Sequence, residues 1–278
     1  MDWFARARDL GVPSGVVPQV VVVKRIHDRN ASMDVAANDR ELLSLLRRSV
    51  LRKRLTVSVV LPVRNGAAYL AEAIGSVLAQ DLAPLEILVV DDDSTDGSAG
   101  IAERAGPLVR VLRRPALGAG AARNFGAREA RGAWLAFLDA DDRWLPGKQR
   151  RQSDALAASP GAAMAFGHIR QFFSPELMRE GAPSPQVLPG VIPSTAWIAR
   201  DAFLGTGGFS ETLRASEWGE WYVRAQERGL SSVMVPEVVA ERRIHARNSG
   251  AKRDAARAEY LRLVRGALDR KRSEARTP

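Results

Sequence analysis

The stretch Leu135-Ala136-Phe137-Leu138-Asp139-Ala140-Asp141-Asp142 decides how the chain is read. A short apolar run ends in three closely spaced carboxylates. A buried strand accounts for the residues from Trp134 to Leu138, but nothing about a strand asks for three acids at its carboxyl end. Crowded carboxylates repel one another unless a cation or strong donors sit among them. In open α/β sheets, ligands bind just beyond the carboxyl ends of the strands. Two readings follow: a divalent cation holding a phosphorylated ligand, or a solvated acidic turn ahead of Pro146.

Upstream, the same pattern recurs. Residues 56–63 form a β-branched run, the dipeptide Asn65-Gly66 turns the chain, and residues 69–80 carry Leu70, Ile74 and Leu78 at helical spacing. Residues 85–90 predict a second strand, again ending in acids, Asp91-Asp92-Asp93. A helix over 95–105 with Asp96 as its cap, a strand over 108–112, a helix opened by Gly118-Ala119-Gly120 and a strand over 133–138 complete a parallel α/β rhythm. Both acid clusters then face one edge of one sheet.

Downstream, the pattern predicts a helix over 146–158, a strand over 162–173, a mobile Pro- and Gly-rich loop over 174–193 and a turn at 205–209. A helix over 218–228, a strand over 236–244 and a basic amphipathic helix over 253–272 close the chain. The fold class expected is α/β, a mostly parallel central sheet flanked by helices.

Composition narrows the chemistry. The 278 residues contain no cysteine and three histidines, so thiolate and histidine-rich zinc sites are excluded and any cation should be hard and oxygen-bound. The formal net charge of +9 is concentrated near 47–54 and 262–276. These basic runs lack interleaved aromatics and any nucleic-acid motif, so a nucleic-acid partner is not expected, whereas an anionic membrane surface could be attracted. The start lacks a secretory signal, and the apolar residues 16–23 are too short to span a bilayer. The location expected is cytoplasmic, with peripheral contact at the inner membrane face open.

Internal comparison gives an unexpected result. Residues 2–54 match residues 220–272 without a gap: Trp3 faces Trp221, Val17-Pro18 faces Val235-Pro236, Arg25-Ile26-His27 faces Arg243-Ile244-His245, and Arg52-Lys53-Arg54 faces Arg270-Lys271-Arg272. About twenty of roughly fifty pairs are identical, and no third copy lies between them. The expected organisation is a partial duplicate of the domain's C-terminus at 1–54, a main domain at 55–250 and a basic helix and tail at 251–278. The duplicate reads either as the remnant of a preceding module or as a retained packing element.

Four motifs then stand in order: Val59-Val-Leu-Pro62-Val-Arg-Asn65-Gly66, Val89-Val-Asp91-Asp92-Asp93-Ser94-Thr95-Asp96-Gly97, Ala122-Arg123-Asn124-Phe125-Gly126 and Phe137-Leu-Asp139-Ala140-Asp141-Asp142. Together they resemble the family 2 glycosyltransferases of GT-A fold, over about residues 56–248. The resemblance implies inverting transfer of a sugar from a nucleoside-diphosphate donor, usually a UDP-sugar, to a saccharide, lipid or peptide hydroxyl. It implies a donor site made by Pro62, Val63, Asn65, Asp91, Asp92, Arg123, Asn124, Asp139, Ala140 and Lys148. Asp92 would accept from the nucleotide base, Pro62 and Val63 would flank it, Arg123 would approach the diphosphate or base-ribose region, and Asp139 would lie near the ribose. Asp141, with Asp139 and His245, would hold Mg2+ or Mn2+ against the diphosphate. Lys148 would help with phosphate charge, or is a solvated helix lysine.

The family's proton acceptor sits in a Glu-Asp pair about six residues before an Arg. Counted from Arg224, this chain carries Glu217-Trp218, and tryptophan cannot take a proton. Glu220 is the substitute expected first and Glu217 second, unless Glu220 is only an exposed carboxylate at a helix start. His245 reads as a cation ligand or a structural hydrogen-bonder. Arg242 and Arg243 alternate across a strand, so only one should face the site. Trp197, Trp218 and Trp221 read as core or as a sugar-stacking wall. Other classes stay open: a catalytically impaired binding module, a nucleotidyltransferase or a nucleic-acid binder.

Overall fold

The computed structural model describes residues 55–178, 185–213 and 216–245. The N-terminal duplicate, the helix expected over 253–272 and the basic runs at 47–54 and 262–276 lie outside the described residues.

The first strand, β1 (Val57–Val63), is buried along its whole length, as a β-branched run at the centre of a parallel sheet should be. It is flanked by β2 (Glu86–Asp92) and β4 (Trp134–Phe137), both parallel to it, and β3 (Val109–Arg114) adds outside β2. The chain therefore runs outward from β1 in one direction before β4 returns to its other side. That reversal opens a crevice at the carboxyl end of β1, where Val63 lies in register with Asp91.

Helix α1 (Ala67–Leu78) buries Leu70, Ala73, Ile74 and Val77, a single face at helical spacing. Burying a leucine or isoleucine this way contributes roughly 1.5–3 kcal/mol. Asp96, expected to cap the helix that follows it, bonds the Ser98 N–H at 3.1 Å with one oxygen and the Ala67 N–H of α1 at 2.9 Å with the other. It thus joins the starts of α1 and α2 (Ser98–Glu103). Helix α3 (Ala119–Glu129) covers the sheet and leads into β4.

Beyond β4 the sheet becomes mixed. The two-residue β5 (Arg143–Trp144) is followed by α4 (Lys148–Ala158), β6 (Met164–Phe173), β7 (Val187–Gly190) and β8 (Trp197–Ala199). Helices α5 (Arg200–Gly205) and α6 (Glu217–Glu227) precede the long β9 (Ser232–Ile244). The strand order is β3-β2-β1-β4-β8-β6-β9-β5, with β7 also on β6. Strand β8 is antiparallel to both β4 and β6, whereas β9 runs parallel to β6.

The segment expected to be a mobile loop, 174–193, is more structured. Its described part holds a 3-10 turn (Pro175–Leu177), β7 and the start of a second 3-10 turn (Pro193–Thr195). Non-local pairing of β7 with β6 supplies the backbone partners that Pro- and Gly-rich composition does not reveal.

Trp197 and Trp221 are fully buried. Trp221 joins Phe203, Phe209 and Trp218 in a cluster of tilted and edge-on rings. Both are core rather than a sugar-stacking wall. No helix among the described residues is long and apolar enough to cross a membrane.

Candidate active site

Strand β4 ends at Phe137, and the turn that follows carries Asp139, Asp141 and Asp142 before β5 begins. One carboxylate oxygen from each lies within 4.8 Å of the others. Asp139 and Asp141 are about a third exposed, whereas Asp142 is buried. Asp142 accepts the Ser194 hydroxyl at 2.6 Å and the Arg243 backbone N–H at 3.1 Å. Burial and then repulsion from Asp139 and Asp141 push its carboxyl well above the usual range, against the pull of Ser194 and Arg242. His245 Nε2 lies 3.0 Å from Asp141 Oδ2, with its ring against Tyr69.

Three hard oxygen donors that repel one another fit a divalent cation such as Mg2+ or Mn2+. Asp139 and Asp141 come together as expected. Asp142, the third acid of the opening stretch, to which the resemblance gives no separate role, completes the triad. His245 meets the cluster through a hydrogen bond to Asp141. Of the paired arginines, Arg243 is the buried one: its Nε donates to the Asp141 carbonyl at 3.2 Å, and Arg242 is exposed.

Arg123 links this cluster to α6. Its guanidinium donates to Asp139 Oδ1 at 2.5 Å and to Glu217 Oε1 at 3.1 Å. Burial opposes its charge, but Asp139 and Glu217 outweigh that and hold its pKa above the ordinary arginine value. Helix α3 can approach because residue 120 is glycine: a Cβ there would meet Glu217 Cγ at 3.0 Å. Among the described residues Oε2 of Glu217 accepts no hydrogen bond.

Glu220, expected ahead of Glu217 as the proton acceptor, is engaged with a different partner. Both Glu220 oxygens pair with Arg224 of the next turn, at 2.8 Å each. Arg224 in turn donates to the carbonyls of Thr206 and Gly208, so Glu220 braces the 205–209 turn. A pair spaced four residues apart shares one helix face, which is why Arg224 can reach Glu220 with two nitrogens. Trp218 packs edge-on against Phe166 and donates its indole N–H to the Val191 carbonyl at 2.8 Å.

Several residues expected in the donor site hold its loops together. Asp92 is buried, and its two oxygens accept the Leu117 and Gly118 backbone N–H groups at 3.0 and 2.8 Å, with Arg114 beside it. It shapes the loop before α3 through both oxygens. Asp91 accepts the Ser94 N–H at 3.0 Å through Oδ1, and among the described residues its Oδ2 accepts no hydrogen bond. Asn65, at φ 52°, uses its side-chain amide oxygen to accept the Thr95 N–H at 2.8 Å, which locks the β1 loop to the β2 loop. Asn124 is buried and exchanges two hydrogen bonds of 2.8 Å with the Phe209 backbone. It clamps the turn.

Pro62 and Val63 end β1 as buried strand residues. Their loop closes on the acidic turn because residue 66 is glycine: a Cβ there would stand 2.8 Å from Val63 and 3.4 Å from Ala140.

Lys148 lies in the interior rather than on a solvated helix face. It is fully buried, donates to Gln152 Oε1 at 2.6 Å and stands 4.1 Å over the Trp144 ring. Burial pushes its pKa well below the ordinary lysine value.

Known proteins share this architecture. An uncharacterized glycosyltransferase of Nostoc sp. is 42% identical over 109 residues, covering 38% of this chain and 34% of that protein. The succinoglycan biosynthesis protein ExoO of Rhizobium meliloti is 38% identical over 115 residues, 41% of this chain and 33% of that protein. The matched stretch thus spans about a third of the length of these curated relatives. Among solved structures, S. aureus TarS 1–349 in complex with UDP-GlcNAc superposes with a TM-score of 0.59 at 20% identity, over 76% of this chain and 65% of that one. The complex with UDP gives 0.57 at 20% identity, over 77% and 65%. These likenesses show the GT-A fold. Residues 58–198 match the model described as glycosyl transferase family 2, and the chain belongs to that family.

Proposed function

We propose that the protein transfers a sugar from a nucleoside-diphosphate donor to an acceptor hydroxyl, with a divalent cation and inversion at the anomeric carbon. The observation that carries this reading is the convergence of Asp139, Asp141 and Asp142 at the carboxyl edge of the sheet, joined through Arg123 to Glu217. Asp139, Asp141 and Asp142 would hold Mg2+ or Mn2+. Bound there, the cation supplies Lewis-acid stabilisation of the departing diphosphate.

The chain's own residues do the rest. Asp91, with Oδ2 free among the described residues, takes over from Asp92 the role of accepting from the nucleotide base. Pro62 and Val63 border that base. Arg123 orients Glu217 through Oε1 and leaves Oε2 to receive the proton of the acceptor hydroxyl as it attacks. UDP is the first nucleotide to test, because TarS, which shares the fold, is solved with UDP and UDP-GlcNAc. The acceptor is a saccharide, lipid or peptide. Contact with an anionic membrane surface through residues 262–272 belongs to the same proposal; failure to bind anionic vesicles at low salt would remove it.

Trp218 favours a second reading, a module that binds the donor without turning it over, because it stands where the resembled family carries an acid. The two readings separate in one experiment. UDP release from a panel of UDP-sugars is followed with Mn2+ and with sugar and alcohol acceptors. Release that needs Mn2+ and is lost in Asp141→Ala and Glu217→Gln supports transfer. Donor binding with no release on any acceptor would put the binding module first.

A further inference from the structure

The 3-10 turn Pro193–Thr195 holds a residue that the sequence motifs do not single out. Ser194 is fully buried. Its hydroxyl donates to Asp142 Oδ2 at 2.6 Å and accepts the Asp139 backbone N–H at 3.3 Å. A hydroxyl has one proton, so accepting from Asp139 while donating to Asp142 fixes its orientation and sets both acids at once.

The segment carrying Ser194 is itself tied down. The Ser194 carbonyl accepts the Trp144 indole N–H at 2.8 Å. The Thr195 carbonyl accepts Gln152 Nε2 at 2.7 Å, which gives the buried Lys148–Gln152 pair a structural role behind the acid cluster. On its other side, the Val191 carbonyl accepts the indole N–H of Trp218. Trp218 follows Glu217, whose Arg123 partner reaches back to Asp139. A closed circuit results: Asp139 to Arg123 to Glu217, along α6 to Trp218, across to Val191, and through Ser194 back to Asp139 and Asp142.

We propose that Ser194 is a positioning residue for the cation carboxylates, and that the strap 190–195 couples their placement to the helix bearing Glu217. The inference rests on the cation site proposed above. It also accounts for Trp218, since where the resembled family has a proton acceptor this chain has a donor that closes the strap. Groups that hold metal ligands from behind act on affinity through ligand orientation, without touching the ion. Replacing Ser194 by alanine leaves the Asp139 N–H and Asp142 Oδ2 without that partner, whereas threonine keeps the hydroxyl.

The test is Mn2+ binding to the full chain, read by electron paramagnetic resonance of free Mn2+ well below the melting temperature of each variant. Ser194→Ala should bind about 10- to 100-fold more weakly, and Ser194→Thr should return to within about threefold of the parent. Trp218→Phe, which keeps a ring but loses the N–H, should weaken binding about 3- to 10-fold. Parent-like affinity in Ser194→Ala, whatever its melting temperature, would overturn the positioning role. Parent-like affinity in Trp218→Phe alongside a weakened Ser194→Ala would overturn the coupling. No Mn2+ binding by the parent, or binding unchanged in Asp141→Ala, would instead overturn the cation reading on which the inference stands.

Discussion

The two edges of the parallel sheet treat carboxylates in opposite ways. At the amino edge Glu86 is buried at the start of β2. It accepts the Ser58 hydroxyl at 2.8 Å, Arg110 Nη1 at 2.8 Å, the Arg131 backbone N–H at 2.8 Å and Arg131 Nε at 3.0 Å. Burial raises its pKa, but these donors more than offset that, and its carboxyl is held below the usual value. At the carboxyl edge Asp142 has donors too, yet burial and its neighbours Asp139 and Asp141 drive it the other way. A carboxylate with its partners built in closes a structure, while carboxylates left to repel one another mark a place for an ion.

The largest break in that contrast should come from Asp141→Ala. Transfer should fall by at least about 1,000-fold, on the order of 4 kcal/mol of transition-state stabilisation. The melting temperature without ligands should hold or rise, because one member of a repelling set is removed. Steady-state kinetics and thermal melts check the two halves.

How much of the molecule is legible in its sequence follows the same divide. The strands, their order up to β4 and the acid clusters at their ends are readable, because apolar runs and turn residues are local signals. Partners are not. Asp92, Asn124 and Lys148 have the residue types of a donor site, but their side chains are engaged by Gly118, Phe209 and Gln152, which lie remote in sequence or on a buried helix face. Glu217 and Glu220 differ by less than one helical turn, and only the positions of Arg123 and Arg224 separate them. Ser194 has no local signal, since its meaning depends on a strap whose pairing is non-local. The duplicate at 1–54 lies outside the described residues.

Glu217→Gln should be the next largest effect. Turnover should drop by about 100- to 10,000-fold, the range for a general base, while nucleotide affinity stays near the parent's. The glutamine carbonyl can still accept from Arg123. Equal loss of binding and turnover would show that Glu217 serves the donor site instead.

Glu86→Gln should act on stability alone. Its arginine partners are partly exposed and regain water, so the loss should be about 2–3 kcal/mol in urea unfolding, with cation and nucleotide affinity unchanged. The pH dependence has a definite sign. A carboxyl whose pKa is lower in the folded state than in the unfolded chain contributes full stability above the unfolded value. That contribution is lost as pH falls from the ordinary value of 4.5 through the folded one. The parent should therefore lose stability on acidification through that window more steeply than Glu86→Gln does.

The smallest effect belongs to Glu220→Ala. Arg224 keeps its contacts with the carbonyls of Thr206 and Gly208. Stability should fall by about 1 kcal/mol or less, and turnover should stay within a few-fold of the parent. Loss of turnover comparable to that of Glu217→Gln would restore Glu220 as the proton acceptor.

The most direct test of the central contrast is a set of thermal melts of the parent, Asp141→Ala and Glu86→Gln, each with UDP alone, Mn2+ alone and both together. Mn2+ should raise the parent's melting temperature and UDP should add to that rise only when Mn2+ is present, with the same rises in Glu86→Gln from a lower starting temperature and none in Asp141→Ala. A parent that gains nothing from the pair, or an Asp141→Ala variant that gains as much as the parent, would contradict it.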